Sequence, residues 1–222
     1  MKENKKRNII ISIVLSLFAI IYTILVKFVD VKEIGPNSSK VGFANLNRSV
    51  FRAFGENERW YNLTKYLGYI FVLIVLTYMV IALIQLVKRK SLFKVDKELI
   101  VLGCFYIVVG LIYVLFEKVI VNYRPILVNG VLEASYPSSH TMITLCVCGS
   151  AIIINSKLFK NNIVRYINIA LSFVMILMVI GRTLSGVHWF TDIVGGVIIS
   201  CSLLMIYYTV IDCLENKKIS KN

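Results

Sequence analysis

The chain has 222 residues, 58% of them hydrophobic and 17% charged, with a mean hydropathy of +0.77 and a formal net charge of +13. Soluble domains are nearer half apolar and about a quarter charged, so this composition excludes an ordinary soluble domain and fits a membrane class. The basic residues sit in short runs between apolar stretches rather than in one stripe, which argues against nucleic-acid binding.

A spanning helix takes about 20 apolar residues, so this length holds about six spans and leaves no room for a separate soluble domain. Residues 1–222 therefore read as one integral membrane domain, an all-α bundle of six transmembrane helices. The first apolar run, 8–29, follows Lys2, Lys5, Lys6 and Arg7. It is longer than the apolar core of a signal peptide and lacks a clean small-residue cleavage site after it, so a retained span is expected. Segment 41–54 sets Phe43, Leu46, Val50 and Phe54 at helical spacing, with Arg48 and Arg52 on another face. That is the pattern of an interfacial amphipathic helix, either resting on the headgroups or acting as a lid for a lipid substrate. Trp60, Tyr61, Tyr66 and Tyr69 follow as an aromatic belt. Further spans are expected at 67–87, 98–121, 139–156, 164–184 and 190–213.

Four basic groups fix an orientation. The N-terminal cluster, then Lys88, Arg89, Lys90, Lys94 and Lys97, then Lys157, Lys160 and Arg165, then Lys217, Lys218 and Lys221 all fall on one side of six alternating spans. Basic loops stay cytoplasmic, so both termini are expected inside and the connections 30–66, 122–138 and 185–189 outside. Cys104, Cys146, Cys148, Cys201 and Cys213 lie in or at the ends of apolar runs, where cysteine behaves as a small hydrophobe. Neither a disulfide nor a cysteine metal site is expected from their spacing.

The two histidines, His140 and His188, both fall at outer ends of spans, at the level of Lys118, Arg124, Arg182 and Asp192. Ionisable groups at membrane depth are costly and are usually functional or paired. Two arginines can grip one phosphate dianion through their planar forks. Pro137, Ser138, Ser139 and His140 stand where a span begins, so free N–H groups, the helix dipole and two hydroxyls can cradle an anion. His188 and Asp192 are four apart and are expected on one helical face, the carboxylate fixing the ring tautomer so that the other nitrogen can attack. His140, on another helix, can serve as the general acid. Singly, each feature has a structural explanation, a helix cap or a satisfied hydrogen bond; together on one side they point to phosphoryl transfer.

These three blocks resemble the type 2 phosphatidic acid phosphatase (PAP2) superfamily, whose pattern is lysine, six residues, Arg-Pro; Pro-Ser-Gly-His; and Ser-Arg, five residues, His, three residues, Asp. Arg124-Pro125 matches the first block, Pro137, Ser138 and His140 the second, and Arg182, His188 and Asp192 the third with both spacings intact. The resemblance implies that His188 forms a phosphohistidine, Asp192 orients it and His140 protonates the leaving group, without a metal or other cofactor. It implies that Arg124, Arg182, Ser138, Ser139 and Lys118 bind the phosphate. Three positions depart: Gly181 replaces the serine, Ser139 replaces the glycine, and Glu117 takes the lysine position with Lys118 next to it. One residue turns a helix by about 100°, so either Lys118 reaches the phosphate through its long stem or the phosphate is held without it.

The expected function is hydrolysis of a lipid phosphate or diphosphate at the outer membrane face. The family's candidates are a prenyl diphosphate, phosphatidate or phosphatidylglycerophosphate, with membrane lipids as the surroundings. Two alternatives remain at this point: a phosphotransferase using the same intermediate, and a phospholipid-binding or transport protein that kept the clamp and lost turnover.

Overall fold

The computed structural model describes residues 2–159 and 161–219. Lys160 and Lys221, two of the basic residues counted above, lie outside the described residues. Seven α-helices account for most of the chain: α1 (Lys2–Phe28), α2 (Ala44–Phe54), α3 (Glu58–Arg89), α4 (Lys97–Lys118), α5 (Ser139–Leu158), α6 (Asn162–Ser185) and α7 (Phe190–Ile219). Six of them are long and apolar enough to cross a membrane, and α2 is the exception. The three prolines, Pro36, Pro125 and Pro137, all stand outside these helices, where a missing N–H does no harm. The chain is thus an α-helical, multi-pass membrane protein.

The spans begin and end near the expected residues, with α3 as the main difference. It starts at Glu58 rather than residue 67, because the Asn57 side chain accepts the Trp60 N–H and caps the helix, extending it through the aromatic belt. Its 32 residues amount to about 48 Å, longer than the hydrocarbon layer.

Helix α5 is the most enclosed span, packed against α3, α4, α6 and α7. Its Met142, Cys146 and Ile154 join Leu102 and Phe105 of α4 and Tyr207 and Ile211 of α7 in the main core. Large apolar side chains on the outside of the bundle, such as Phe18, Ile20, Leu73, Ile107 and Phe173, are exposed and suit a lipid surround. Apolar burial adds little where the solvent is itself hydrocarbon, so α1 and α7 are also held by hydroxyl pairs. Ser12 meets Thr209 at 3.0 Å and Ser16 meets Ser202 at 2.9 Å. All five cysteines are free thiols.

Between α1 and α3 the chain forms a two-residue-strand hairpin, β1 (Lys32–Glu33) with β2 (Lys40–Val41), and then α2. Helix α2 turns Ala44 and Asn47 most deeply inward, rather than Leu46, Val50 or Phe54. Asn47 is fully buried, donating to the Gly42 carbonyl (2.8 Å) and Thr191 Oγ1 (2.9 Å) and accepting the Thr191 N–H (3.1 Å). Phe51 packs on Trp189 with ring centroids 5.6 Å apart, while Leu46 and Phe54 remain about half exposed. The far end is tied down as well: Asn57 N–H donates to the Ser185 carbonyl, and a Cβ on Gly186 would come within 2.0 Å of the Gly55 carbonyl oxygen. Helix α2 is fastened at both ends over the start of α7.

Candidate active site

Four chain segments meet at the end of the bundle where α5 and α7 begin and α6 ends. The first is the connection from α4 to α5. Asn129 and Gly130 have φ of +51° and +78°, and Val128 and Val131 exchange backbone hydrogen bonds of 3.0 Å across them. An Asn-Gly pair with both φ positive closes a tight two-residue hairpin. The pairing runs on, with Arg124 N–H donating to the Glu133 carbonyl (3.1 Å) and Ser135 N–H to the Asn122 carbonyl (2.9 Å). This brings Ser135 opposite Asn122 and next to Arg124. His140 follows in the first turn of α5, Arg182 is in the last turn of α6, and Asp192 is in the first turn of α7.

His188 lies in the link between α6 and α7, which turns at Gly186 with φ +66°. The expectation that His188 and Asp192 share a helical face is not met, because α7 starts only at Phe190. The four-residue spacing carries no helical geometry where half of it is non-helical. Asp192 instead folds back on that link, its Oδ2 accepting the Trp189 N–H at 3.1 Å. Between the two residues stands Ser135. Its Oγ donates to Asp192 Oδ2 (2.6 Å) and lies 3.0 Å from His188 Nδ1, while its carbonyl oxygen lies 3.1 Å from the same nitrogen. Asn122 Nδ2 donates to the other carboxylate oxygen at 3.0 Å.

This arrangement assigns the tautomer. A carbonyl oxygen only accepts, so Nδ1 of His188 carries the proton and Nε2 keeps its lone pair. Nε2 faces Nη1 of Arg124 and Nη2 of Arg182, each 3.4 Å away. Burial, together with the positive charges of Arg124 and Arg182 and the neighbouring His140, holds His188 well below its ordinary pKa of 6.5. The ring is neutral near pH 7.

The two arginines differ in their surroundings. Arg124 pairs through Nε with Glu133 at 3.1 Å and reaches the Val187 carbonyl at 3.4 Å. Arg182 is 1% exposed and makes no salt bridge among the described residues. Its contacts are Thr64 Oγ1 at 3.3 Å, His140 Nδ1 at 3.1 Å and the face of Tyr61 at 5.6 Å. Since a guanidinium only donates, Nδ1 of His140 accepts and its proton resides on Nε2. Gly181 explains its own departure from the resemblance. A Cβ there would sit 2.5 Å from Thr64 Cγ2 and 3.3 Å from Trp60, so α3 packs where a serine side chain would stand.

The remaining expected residues are placed unequally. Ser139 opens α5 and lines a small cavity together with Phe116, Glu117, Arg124, Ser135 and His188. Ser138 is buried, its hydroxyl accepting from Thr141 and its N–H donating to the Asp192 carbonyl, and it does not line that cavity. Lys118 is exposed at the end of α4, and Glu117 lines the cavity in its stead. Ser135 and Asn122 are the residues the sequence reading missed. The Asn129-Gly130 pair between two valines signals the hairpin whose register brings both to the site, but not which of its side chains meet His188. Among the described residues no group of three His, Cys, Asp or Glu side chains is arranged to hold a metal ion.

Comparison with known proteins agrees with the fold and with the family resemblance. Residues 96 in number are 30% identical to "Lipid phosphate phosphatase delta" of Arabidopsis thaliana, a stretch covering 42% of this chain and 23% of the plant protein. The chain therefore spans about a quarter of that relative. A crystal structure of a transmembrane PAP2-type phosphatidylglycerolphosphate phosphatase from Bacillus subtilis superposes with a TM-score of 0.57 at 20% identity. That match covers 93% of this chain and 96% of the other and shows a shared fold. The profile of the PAP2 superfamily matches residues 67–214, two thirds of the sequence and all of the residues converging on His188. The chain belongs to the PAP2 superfamily.

Proposed function

We propose that this protein is a membrane lipid phosphatase that hydrolyses a lipid phosphate or diphosphate through a phosphohistidine on His188, at the extracytoplasmic face. One observation carries this function. Arg182 is buried without a carboxylate partner among the described residues, and with Arg124 it converges at 3.4 Å on Nε2 of His188, the nitrogen of that ring that bears a lone pair. An unpaired buried charge is costly, and a phosphoryl group is an anion that both forks can share while its phosphorus meets Nε2.

In the first step the Nε2 lone pair attacks phosphorus and the bond to the lipid oxygen breaks. The electron pair goes to the leaving oxygen, and His140 supplies its proton. Phosphate oxygens take over the Nη2 contact of Arg182, which frees Nδ1 of His140 to hold that proton beforehand. The positive charge developing on His188 is met at Nδ1 by Ser135, backed by the Asp192 carboxylate. In the second step a water attacks the phosphohistidine, His140 takes its proton, the P–N bond breaks and phosphate departs.

The extracytoplasmic placement follows from the basic loops. Residues 88–97, 157–159 and 161–165 are at the opposite end of the spans from His188, and such loops stay cytoplasmic. Phosphatidylglycerophosphate is the substrate to try first, given the name of the Bacillus structure, followed by phosphatidate and a prenyl diphosphate as the other lipid phosphates the family resemblance suggests. The test is inorganic phosphate release from each of these in vesicles, by the purified protein and by His188→Ala. Release by the wild type, inhibition by vanadate and acid-labile radiolabelled phosphate on the wild type alone are expected. Turnover that survives in His188→Ala would overturn the assignment.

A further inference from the structure

A second cavity, about 320 Å³ and almost wholly apolar, opens between α1, α4 and α7. Ala19 and Ile20 of α1, Ile112 and Leu115 of α4, and Leu203 and Ile206 of α7 form its walls. At its floor Ser16 and Ser202 bond each other at 2.9 Å, so the groove presents no unsatisfied hydroxyl there. Its α1 wall runs from Ser16 to Ile24, about 12 Å of helix, a little under half the hydrocarbon thickness. A chain lying in it stays within one leaflet, the one on the side of His188.

The top of the groove adjoins the catalytic cavity. Phe116 lines both. Its ring stands edge-on to Tyr136, 5.6 Å between centroids, and Tyr136 also lines the catalytic cavity. The Tyr136 hydroxyl meets Thr23 Oγ1, a groove residue, at 2.7 Å. A molecule with its phosphorus at His188 therefore has an apolar groove within reach, beginning at Phe116, which lines both cavities.

We propose that this groove holds the hydrocarbon chain of the substrate whose phosphate is bound at His188; the proposal rests on the lipid phosphatase function above. Binding energy from the chain positions the reacting phosphate, so the groove selects substrates with a chain long enough to fill it.

Two variants narrow the groove without touching the catalytic cavity: Ala19→Phe, and Ile20→Trp at a lipid-exposed position that the fold does not need. Reconstituted protein is assayed with dipalmitoyl phosphatidate and with the short-chain, water-soluble dihexanoyl phosphatidate. Displacing about two methylenes from the groove raises KM for the long-chain substrate about tenfold, and kcat/KM for the short one stays within about twofold. Equal losses on both substrates, or no change on either, would overturn the proposal.

Binding is read separately from turnover. Fluorescence of Ile20→Trp, corrected for the native tryptophans in the unsubstituted protein, is measured with bromine-labelled phosphatidate and with phosphatidylcholine bearing the same labelled chains. Stronger quenching by the phosphatidate is expected. Equal quenching means that the groove takes bulk bilayer lipid only and sinks the proposal. Selective quenching without phosphate release would leave the groove standing and remove the hydrolase function.

Discussion

Replacing Ser135 by alanine removes the hydroxyl that stands between His188 and Asp192 and leaves the rest of the site in place. The lost contact is a hydrogen bond to a carboxylate at 2.6 Å, together with one of the two acceptors facing His188 Nδ1. Hydrogen bonds to charged groups contribute about 1.5–3 kcal/mol, which corresponds to roughly 10- to 150-fold in rate. The loss is bounded because the Ser135 carbonyl, 3.1 Å from Nδ1, still holds the tautomer. Phosphate release from a lipid phosphate should therefore show kcat reduced by that factor, with KM changed less than about threefold. Ser135→Thr keeps the hydroxyl and should recover most of kcat. If Asp192 acts through Ser135, Asp192→Asn costs a comparable amount and the double variant costs less than the sum. A Ser135→Ala protein within twofold of wild-type kcat, beside an inactive Asp192→Asn, would refute the bridge and return the carboxylate to direct contact with the ring.

The pH dependence follows from the depressed pKa of His188. Arg124→Gln removes one of the two positive charges that hold it down, so the acid limb of kcat/KM should move to higher pH; an unmoved or lowered limb counts against the electrostatic account. The same group binds a proton in the unfolded chain below its ordinary value of 6.5 but not in the fold. Stability is thus complete above that pH and lost as pH falls below it, by up to about 1.4 kcal/mol per unit, a slope His188→Gln should reduce in melting experiments. Gly181→Ser places a side chain 2.5 Å from Thr64 Cγ2, so overpacking of about 1–3 kcal/mol should lower the melting temperature, and Thr64→Ser should relieve part of it. Lys118→Ala should leave kcat/KM for a phosphate monoester within about twofold, whereas Glu117→Lys, at the cavity wall, should lower KM for a diphosphate; the reverse ranking would place Lys118 in the site.

The spans were legible because apolar runs of about 20 residues separated by basic loops leave little freedom, and α1, α4, α5, α6 and α7 start or end near the expected residues. The convergence of His140, Arg182, Arg124 and His188 was legible for the same reason, since alternating spans bring every second connection to one face. The start of α3 was missed because Asn57 caps it nine residues before the apolar run begins. Ser135 and Asn122 were missed although their local signal was present, because a hairpin turn at Asn129-Gly130 says nothing of which side chains will face a histidine more than fifty residues further on.

Composition and spacing alone determined a six-span helical membrane protein with its ionisable groups gathered at one face, since hydrocarbon tolerates little else. Only the tertiary structure decided which atoms meet. A serine and not the aspartate touches His188, because α7 begins two residues too late for a helical i, i+4 pair. Glu117 and not Lys118 lines the cavity, and Gly181 is a glycine because α3 leaves no room for a side chain. Such distinctions turn on ångström distances between segments remote in the chain, which packing fixes and local sequence does not encode.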